Sequence, residues 1–348
     1  MTTGVTTNAD IARRRLANQR LVGTPFRSAV DVVRRLGAVQ AQDYAGAKWA
    51  IAQRTRNATD AGIERLIASG AILRTHVLRP TWHFVVPADI RWMLALTAPR
   101  IAAQMAYNNR RLCLTPKVFR RTNDTLARAL EGGTQLTRAE IADALHRAGI
   151  DAADGLRVGH ILMQAELDAV ICSGARRGKQ ITYALLDDRA PSTPPLDREE
   201  ALATLATRYF STRSPATPQD FAWWSGLTVG DAKRAAAAAR VRDLKKATEP
   251  TESVHLLPNY DEFFIAYRDR RAILDRVEGV VPMQRATPLF AHVIEIDGQL
   301  VGGWRRVVAP TSIEVETTYL ARVTAAERKA VAAQVERYKA FAGKGSDD

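Results

Sequence analysis

A change of hydrophobic period near residue 72 constrains this chain more than any other feature of its sequence. Up to that point the pattern is helical; residues 72–78 and 81–86 then form two β-prone runs interrupted by Arg79-Pro80, which fits a hairpin and not continued helix. Ahead of the hairpin, residues 8–19 make a short helix with Asn8 available as N-cap. Ser28 caps a second helix, in which Val30, Val33 and Leu36 recur at helical spacing and Gly37 weakens the end. Residues 45–54 and 60–69 are two further helices, the latter ended by Gly70. Pro87 opens a long helix that reaches about Arg111.

The order recurs. Residues 116–131, 137–148 and 156–167 read as three helices, with a capping box from Thr137 to Glu140, followed by strands at 169–173 and 180–186. Between those strands lies the basic turn Gly174-Ala175-Arg176-Arg177-Gly178-Lys179. A Pro-rich linker, 190–196, leads to a third set: helices at 198–210, 217–224 and 228–240, then strands to about Leu257. Helices closed by a hairpin are the layout of a winged helix. The expected fold class is therefore α+β, with three tandem winged-helix motifs scaffolded by a C-terminal β domain. The expected boundaries are 1–112, 113–190 and 191–257 for the motifs, 258–322 for the β domain, and 323–348 for a closing helix and tail. Within the β domain, runs at 291–296 and 300–304 flank Asp297-Gly298, the clearest hairpin signal in the chain, and 313–318 adds a strand. Residues 325–341 form a helix with Val331, Val335 and Tyr338 near one face, and 343–348 should fray.

The net charge of +13 is concentrated. Residues 1–122 hold 20 Lys+Arg against 6 Asp+Glu, whereas residues 123–348 hold 30 against 31. Such asymmetry is an electrostatic footprint for a polyanion, nucleic acid being the commonest, with a merely solubilising basic face as the bland alternative. Met1 to Asp10 lack the apolar run of a signal peptide, and no stretch approaches the roughly 18 apolar residues of a membrane span. A cytoplasmic protein, nucleoid-associated when bound to DNA and without a membrane partner, is expected. Cys113 and Cys172 are far apart, with no Cys-x-x-Cys and no His pair at ligand spacing, so two reduced, mostly buried thiols and no metal are expected. No motif calls for a cofactor.

Gln40-Ala41-Gln42 bears most directly on chemistry. Side chains two apart diverge on a helix and share a side of an extended segment, so the two amides converge only if residues 40–42 are extended or in a turn. Each amide supplies an acceptor and two donors, enough to hold and orient a water, and neither titrates near neutral pH. The reaction they serve must therefore run without a protein proton donor from this pair. Helix capping or backbone bonding is the ordinary alternative.

Gln40-Ala41-Gln42, Thr81-Trp82-His83 on the following strand, Leu256-Leu257-Pro258-Asn259-Tyr260-Asp261-Glu262, then Asp297-Gly298 and Gly303-Trp304-Arg305, resemble the bacterial winged-helix DNA glycosylases of the AlkZ and YcaQ type. The similarity spans nearly the whole chain. The Gln-x-Gln form resembles the AlkZ branch; the YcaQ branch carries Asp in the second position. The resemblance implies a monofunctional DNA glycosylase with Gln40 and Gln42 at its catalytic centre. Its implied substrates are N-alkylated purines, including bulky adducts and interstrand crosslinks. A purine alkylated at N7 or N3 already carries positive charge and leaves as a neutral base, so water positioning by two amides suffices.

Asp43 is read either as electrostatic support or as the N-cap of the next helix, and Thr81 and His83 share one strand face beside the motif. Expected DNA contacts are Arg34, Arg35, Lys48, Arg54 and the basic wing Arg176, Arg177 and Lys179. Asp261, Glu262 and Arg268 to Arg271 are read as an ion-pair network joining the β domain to the helical body, and Trp223, Trp224 and Trp304 as packing residues. The expected partner is duplex DNA containing alkylated bases, bound by a monomer. A non-catalytic winged-helix regulator is the competing reading.

Overall fold

The computed structural model describes residues 7–241, 253–279, 292–308 and 313–343. Asn8–Asn18 forms α1, capped by Thr7 and not by Asn8: Thr7 has the extended backbone a cap needs and makes a capping box with Asp10. Ala29–Leu36 is α2, capped by Ser28 as expected. Val39–Gln40 is β1, Tyr44–Gln53 is α3, and Asp60–Ala68 is α4. Leu73–His76 and Trp82–Val85 are β2 and β3, the hairpin marked by the change of period. Strand order is β1-β3-β2, all antiparallel. The long helix α5, Pro87–Arg111, starts at its proline.

The second set repeats this topology. Pro116–Ala129 is α6, Leu136–Thr137 is β4, Arg138–Arg147 is α7 and Gly155–Leu167 is α8. Ile171–Arg177 and Gln180–Leu185 are β5 and β6, in the order β4-β6-β5. Each set thus runs helix, short strand, two helices, hairpin. Strand β5 continues past the expected end at residue 173 through a bulge between Ser173 and Arg176, so Arg176 and Arg177 lie on a strand and only Gly178-Lys179 turns.

After the short helix Leu186–Arg189 (α9), the third set keeps its helices: Arg198–Arg213 (α10), Pro218–Ser225 (α11) and Val229–Ala238 (α12). Among the described residues it has no wing of its own. Val254–Leu257, β7, pairs with Val293–Ile296, β8, in the sheet β10-β9-β8-β7, where β9 is Gln299–Val308 and β10 is Ile313–Tyr319. A short run such as Val254-His255-Leu256-Leu257, buried throughout, suits a strand in any sheet, which is why sequence pattern assigned β7 to the wrong partner. Between β7 and β8 lies the short helix Glu262–Ile265, α13, and the described chain closes with Ala325–Ala342, α14. The expected strand residue Ala291, the segment 242–252 and residues 344–348 lie outside the described residues.

Hydrophobic packing joins these sets. Leu73, Val77 and Val85 of the first hairpin region share one core with Met93 of α5 and with Leu205, Tyr209, Phe221 and Trp224 of α10 and α11. Trp49 of α3 and Trp304 of β9 each donate an indole N–H to neighbouring carbonyls of β7, Leu256 at 2.7 Å and Leu257 at 2.8 Å. Trp304 and Trp224 are packing residues as expected, but Trp223 is 47 % exposed.

Past β7, two consecutive carboxylates dock this segment onto the helices. Asp261 takes a bidentate pair of hydrogen bonds from Arg54, both 2.9 Å, and Glu262 takes Arg213 at 2.7 Å. All four side chains are buried. Arg54 also donates to the Gln19 carbonyl and amide oxygen and the Ala50 carbonyl, so each of its five N–H groups is used.

Two outcomes follow from this packing. Asp261→Ala strands a buried guanidinium and should lower unfolding free energy by roughly 3–5 kcal/mol in urea titration, whereas Asp31→Ala, which breaks the exposed pair with Arg34, should lower it by less than about 1 kcal/mol. The thiols differ as well: Cys113 is exposed, against expectation, while Cys172 is buried and its pKa is pushed up to about 12 by that burial. A native thiol titration should therefore show one fast equivalent, the second appearing only on unfolding.

Candidate active site

Antiparallel register brings three side chains into one row. Thr75 of β2 lies opposite His83 of β3, which lies opposite Gln40 of β1, and directly opposed residues project to the same face. Beyond the pairing, the Ala41 N–H donates to the Trp82 carbonyl at 2.7 Å, and the Ala41 carbonyl accepts from Arg74 Nε at 3.1 Å. The segment is thus extended at Gln40 and held on both sides at Ala41, and Asp43 is still extended at φ −89° and ψ 99°. Past Ala41 the chain bends at Gln42 and Asp43 before entering α3.

The two glutamines have different surroundings. Gln40 is buried; its backbone N–H donates to Glu262 Oε1 at 3.1 Å and its side-chain oxygen accepts from Arg79 at 2.7 Å. Gln42 is exposed. Asp43 serves as the N-cap of α3, accepting the Gly46 N–H at 3.1 Å. A Cβ on Gly46 would lie 2.5 Å from the Asp43 carboxylate and 3.1 Å from Pro258, so only glycine lets the cap and the β-domain loop close on this helix end.

His83 is fully buried, with Nδ1 2.9 Å from the Thr81 carbonyl. Burial, reinforced by the nearby Arg79 charge, holds its pKa well below the ordinary value. A neutral ring whose Nδ1–H donates to a carbonyl carries its lone pair on Nε2. That nitrogen has no partner among the described residues, nor do the hydroxyls of Thr75 and Thr81 or Nε of Arg79. With Trp82 Nε1, five buried polar atoms on this one hairpin lack a hydrogen-bond partner among the described residues.

The model of the AlkZ-like DNA glycosylase family matches residues 33–341. The chain belongs to that family. It is a DNA glycosylase. An interstrand DNA cross-link repair glycosylase from Streptomyces sahachiroi is 25 % identical over 342 residues, spanning 86 % of this chain and 92 % of the relative. The solved structure of the DNA glycosylase AlkZ from the same organism superposes with a TM-score of 0.75 at 22 % identity, over 97 % of each chain, and so shares the fold.

The basic residues expected at a DNA interface of this AlkZ-like glycosylase divide sharply. Lys48 is buried between Asp60 and Glu64, at 2.7 Å from each, and Arg54 is spent on Asp261; neither presents charge to a ligand, so both expectations are corrected. Buried cations need local carboxylates, and Asp60 and Glu64 supply them for Lys48 as Asp261 does for Arg54. Arg34 is exposed beside Asp31, and Arg35 is exposed with a 3.3 Å bond to the Ser211 carbonyl. On the wing, Arg176 is half-buried 3.5 Å from Glu64, Arg177 pairs with Glu140 at 2.6 Å, and Lys179 is exposed.

Sequence reading missed a concavity beside this hairpin. On the sheet face opposite His83, Trp82 and Arg74 line a cleft of about 650 Å³ shared with Arg138, Lys179 and Tyr183 of the second set. The Arg74 guanidinium sits 4.2 Å from the Trp82 ring centroid. Alternation places Trp82 away from His83, but the apposition of β6 and α7 is tertiary and leaves no trace in local pattern. No helix among the described residues is long and apolar enough to cross a membrane.

The state of His83 is directly measurable. Its folded pKa is depressed, so between that value and the ordinary 6.5 the unfolded chain binds a proton that the folded one refuses; this residue removes stability as pH falls below about 6.5. Side-chain nitrogen NMR should show the neutral Nδ1–H form persisting well below the ordinary histidine value. A normal titration near 6.5 would contradict the burial.

Proposed function

We propose that this enzyme hydrolyses the N-glycosidic bond of purines alkylated at N7 or N3 in duplex DNA, with water positioned by Gln40 and Gln42. The observation that carries this reading is the absence of a proton donor in the row that holds Gln40: its neighbours are Thr75 and a histidine that burial keeps neutral. A site of amides and hydroxyls suits a leaving group that is already cationic and departs without protonation. Asp43, engaged at the helix end, lends its charge from one residue away.

The architecture supports tandem winged helices at residues 1–112 and 113–190, each with the same strand order, and a third helical set at 191–257 whose described strand, β7, joins the C-terminal sheet. The exposure of Gln42 supports approach of a duplex without swallowing the lesion, and the name of the cross-link repair relative supports bulky or crosslinked adducts as substrates. A monomer suffices for such a reaction on DNA of any sequence.

Incubation with 7-methylguanine duplex should release free base and leave alkali-sensitive abasic sites. Gln40→Ala and Gln42→Ala should each lower the single-turnover rate by about 100-fold while binding changes little; wild-type rates in both variants would reject the assignment. For the wing, Arg177→Glu with Lys179→Glu should flatten the dependence of log binding constant on log salt by about 2. An unaltered slope would remove this hairpin from the interface.

A further inference from the structure

Resting on the glycosylase reading above but dividing the role it gives jointly to the two glutamines, we propose that they are not equivalent: Arg79 pins Gln40 so that its amide nitrogen serves as a hydrogen-bond donor to the departing purine, leaving Gln42 to hold the attacking water. An amide's two ends are interchangeable by rotation, and the partner decides which way it points. Here the partner is a guanidinium, which has five donors and no acceptor at all, so the atom 2.7 Å from it must be the Gln40 oxygen. What remains for the substrate is an NH₂ group.

Arg79 is itself held in place. It follows Leu78, which sits at φ +65°, a left-handed conformation unfavourable for leucine. The Leu78 carbonyl lies where a Cβ of Gly226 would be, 2.2 Å from it, so that glycine at the end of α11 lets the hairpin turn dock. Arg79 is mostly shielded from solvent, with the Glu262 carboxylate favouring its charge and Arg213 and Arg270 opposing it. At the other end of the same residue, the Gln40 backbone is tied to Glu262. Both ends of Gln40 are thus fixed before substrate arrives.

The reaction then distinguishes donors from acceptors. The pair of electrons in the bond from C1′ to N9 moves onto the purine and neutralises its positive charge; water forms the new C1′–O bond, and its proton passes to solvent. The water gains nucleophilicity from an acceptor on its hydrogen, and the oxocarbenium-like sugar gains nothing from a donor. Only the departing base, whose N3 and N9 lone pairs gain electron density, is stabilised by an N–H group. Gln40 fits that partner, and exposed Gln42, whose carbonyl oxygen meets no guanidinium among the described residues, fits the water. Arg79 is a positioning residue that acts through Gln40.

Gln40→Glu keeps two oxygens for Arg79 and removes both donors, and Gln42→Glu keeps acceptors. On 7-methylguanine duplex under single-turnover conditions, Gln40→Glu should lose about 100-fold and run at least about tenfold slower than Gln42→Glu, with DNA affinity within about threefold of wild type. Arg79→Met should lose about tenfold in the wild-type background and nothing further in Gln40→Ala, a coupling that general structural damage would not produce. Gln40→Glu as fast as Gln42→Glu, or an equal loss from Arg79→Met in both backgrounds, would overturn the proposal. Should Arg79→Met melt early, the pair of glutamate variants decides alone. A wild type inactive on this duplex would sink the glycosylase reading and this assignment together, whereas an active wild type with an active Gln40→Glu sinks only the assignment.

Discussion

The buried carboxylate of Glu262 is the interaction on which the rest of this structure depends. It accepts from the Gln40 backbone at 3.1 Å, from Arg213 at 2.7 Å and from the Trp224 indole at 2.8 Å, joining β1, α10 and α11 to the segment that follows β7. Arg213 in turn donates to the Leu36 carbonyl at 2.9 Å, closing the end of α2. A charge buried this deeply contributes little net stability by comparison with an apolar core, yet its partners cannot be removed without exposing its full desolvation penalty. It therefore specifies one arrangement of four elements instead of merely strengthening it.

The position of Gln40 follows from that constraint. Strand β1 is two residues long and lies at the sheet edge, where an outward N–H would otherwise face solvent. Glu262 takes that N–H, Trp82 takes the next one, and Arg79 takes the side-chain oxygen. The Gln40 amide is thereby carried on a rigid edge although the strand is too short to be stable by itself. Adjacent Gln42, just past the last pairing, keeps its exposure.

Charge behaves differently inside this protein than the sequence total suggests. The basic excess of the first third includes Lys48, Arg54 and Arg74, all buried, with Lys48 and Arg54 paired to carboxylates and Arg74 bonded to the Ala41 carbonyl and stacked on Trp82. The field that remains for a polyanion comes from exposed groups such as Arg34, Arg35, Arg177 and Lys179. Counting charge by sequence segment locates a basic region correctly and cannot tell a structural guanidinium from a free one.

Sequence by itself determined the helices, the hairpins at Arg79-Pro80 and Asp297-Gly298, the helix starts at Ser28, Pro87 and Thr137, and the family through the order of its short motifs, because caps, turns and periodicity are local properties. It also marked the extended segment at Gln40 and the linking role of Asp261 and Glu262. Only the tertiary structure decided that β7 joins the C-terminal sheet, that β1 and β4 exist at all, and that Arg54 is a core residue. Two-residue strands carry no period, and strand partners are chosen by register and burial across the whole chain. Tertiary structure also separated the two glutamines, since which amide meets a guanidinium depends on a residue 39 positions away in sequence folding back beside it.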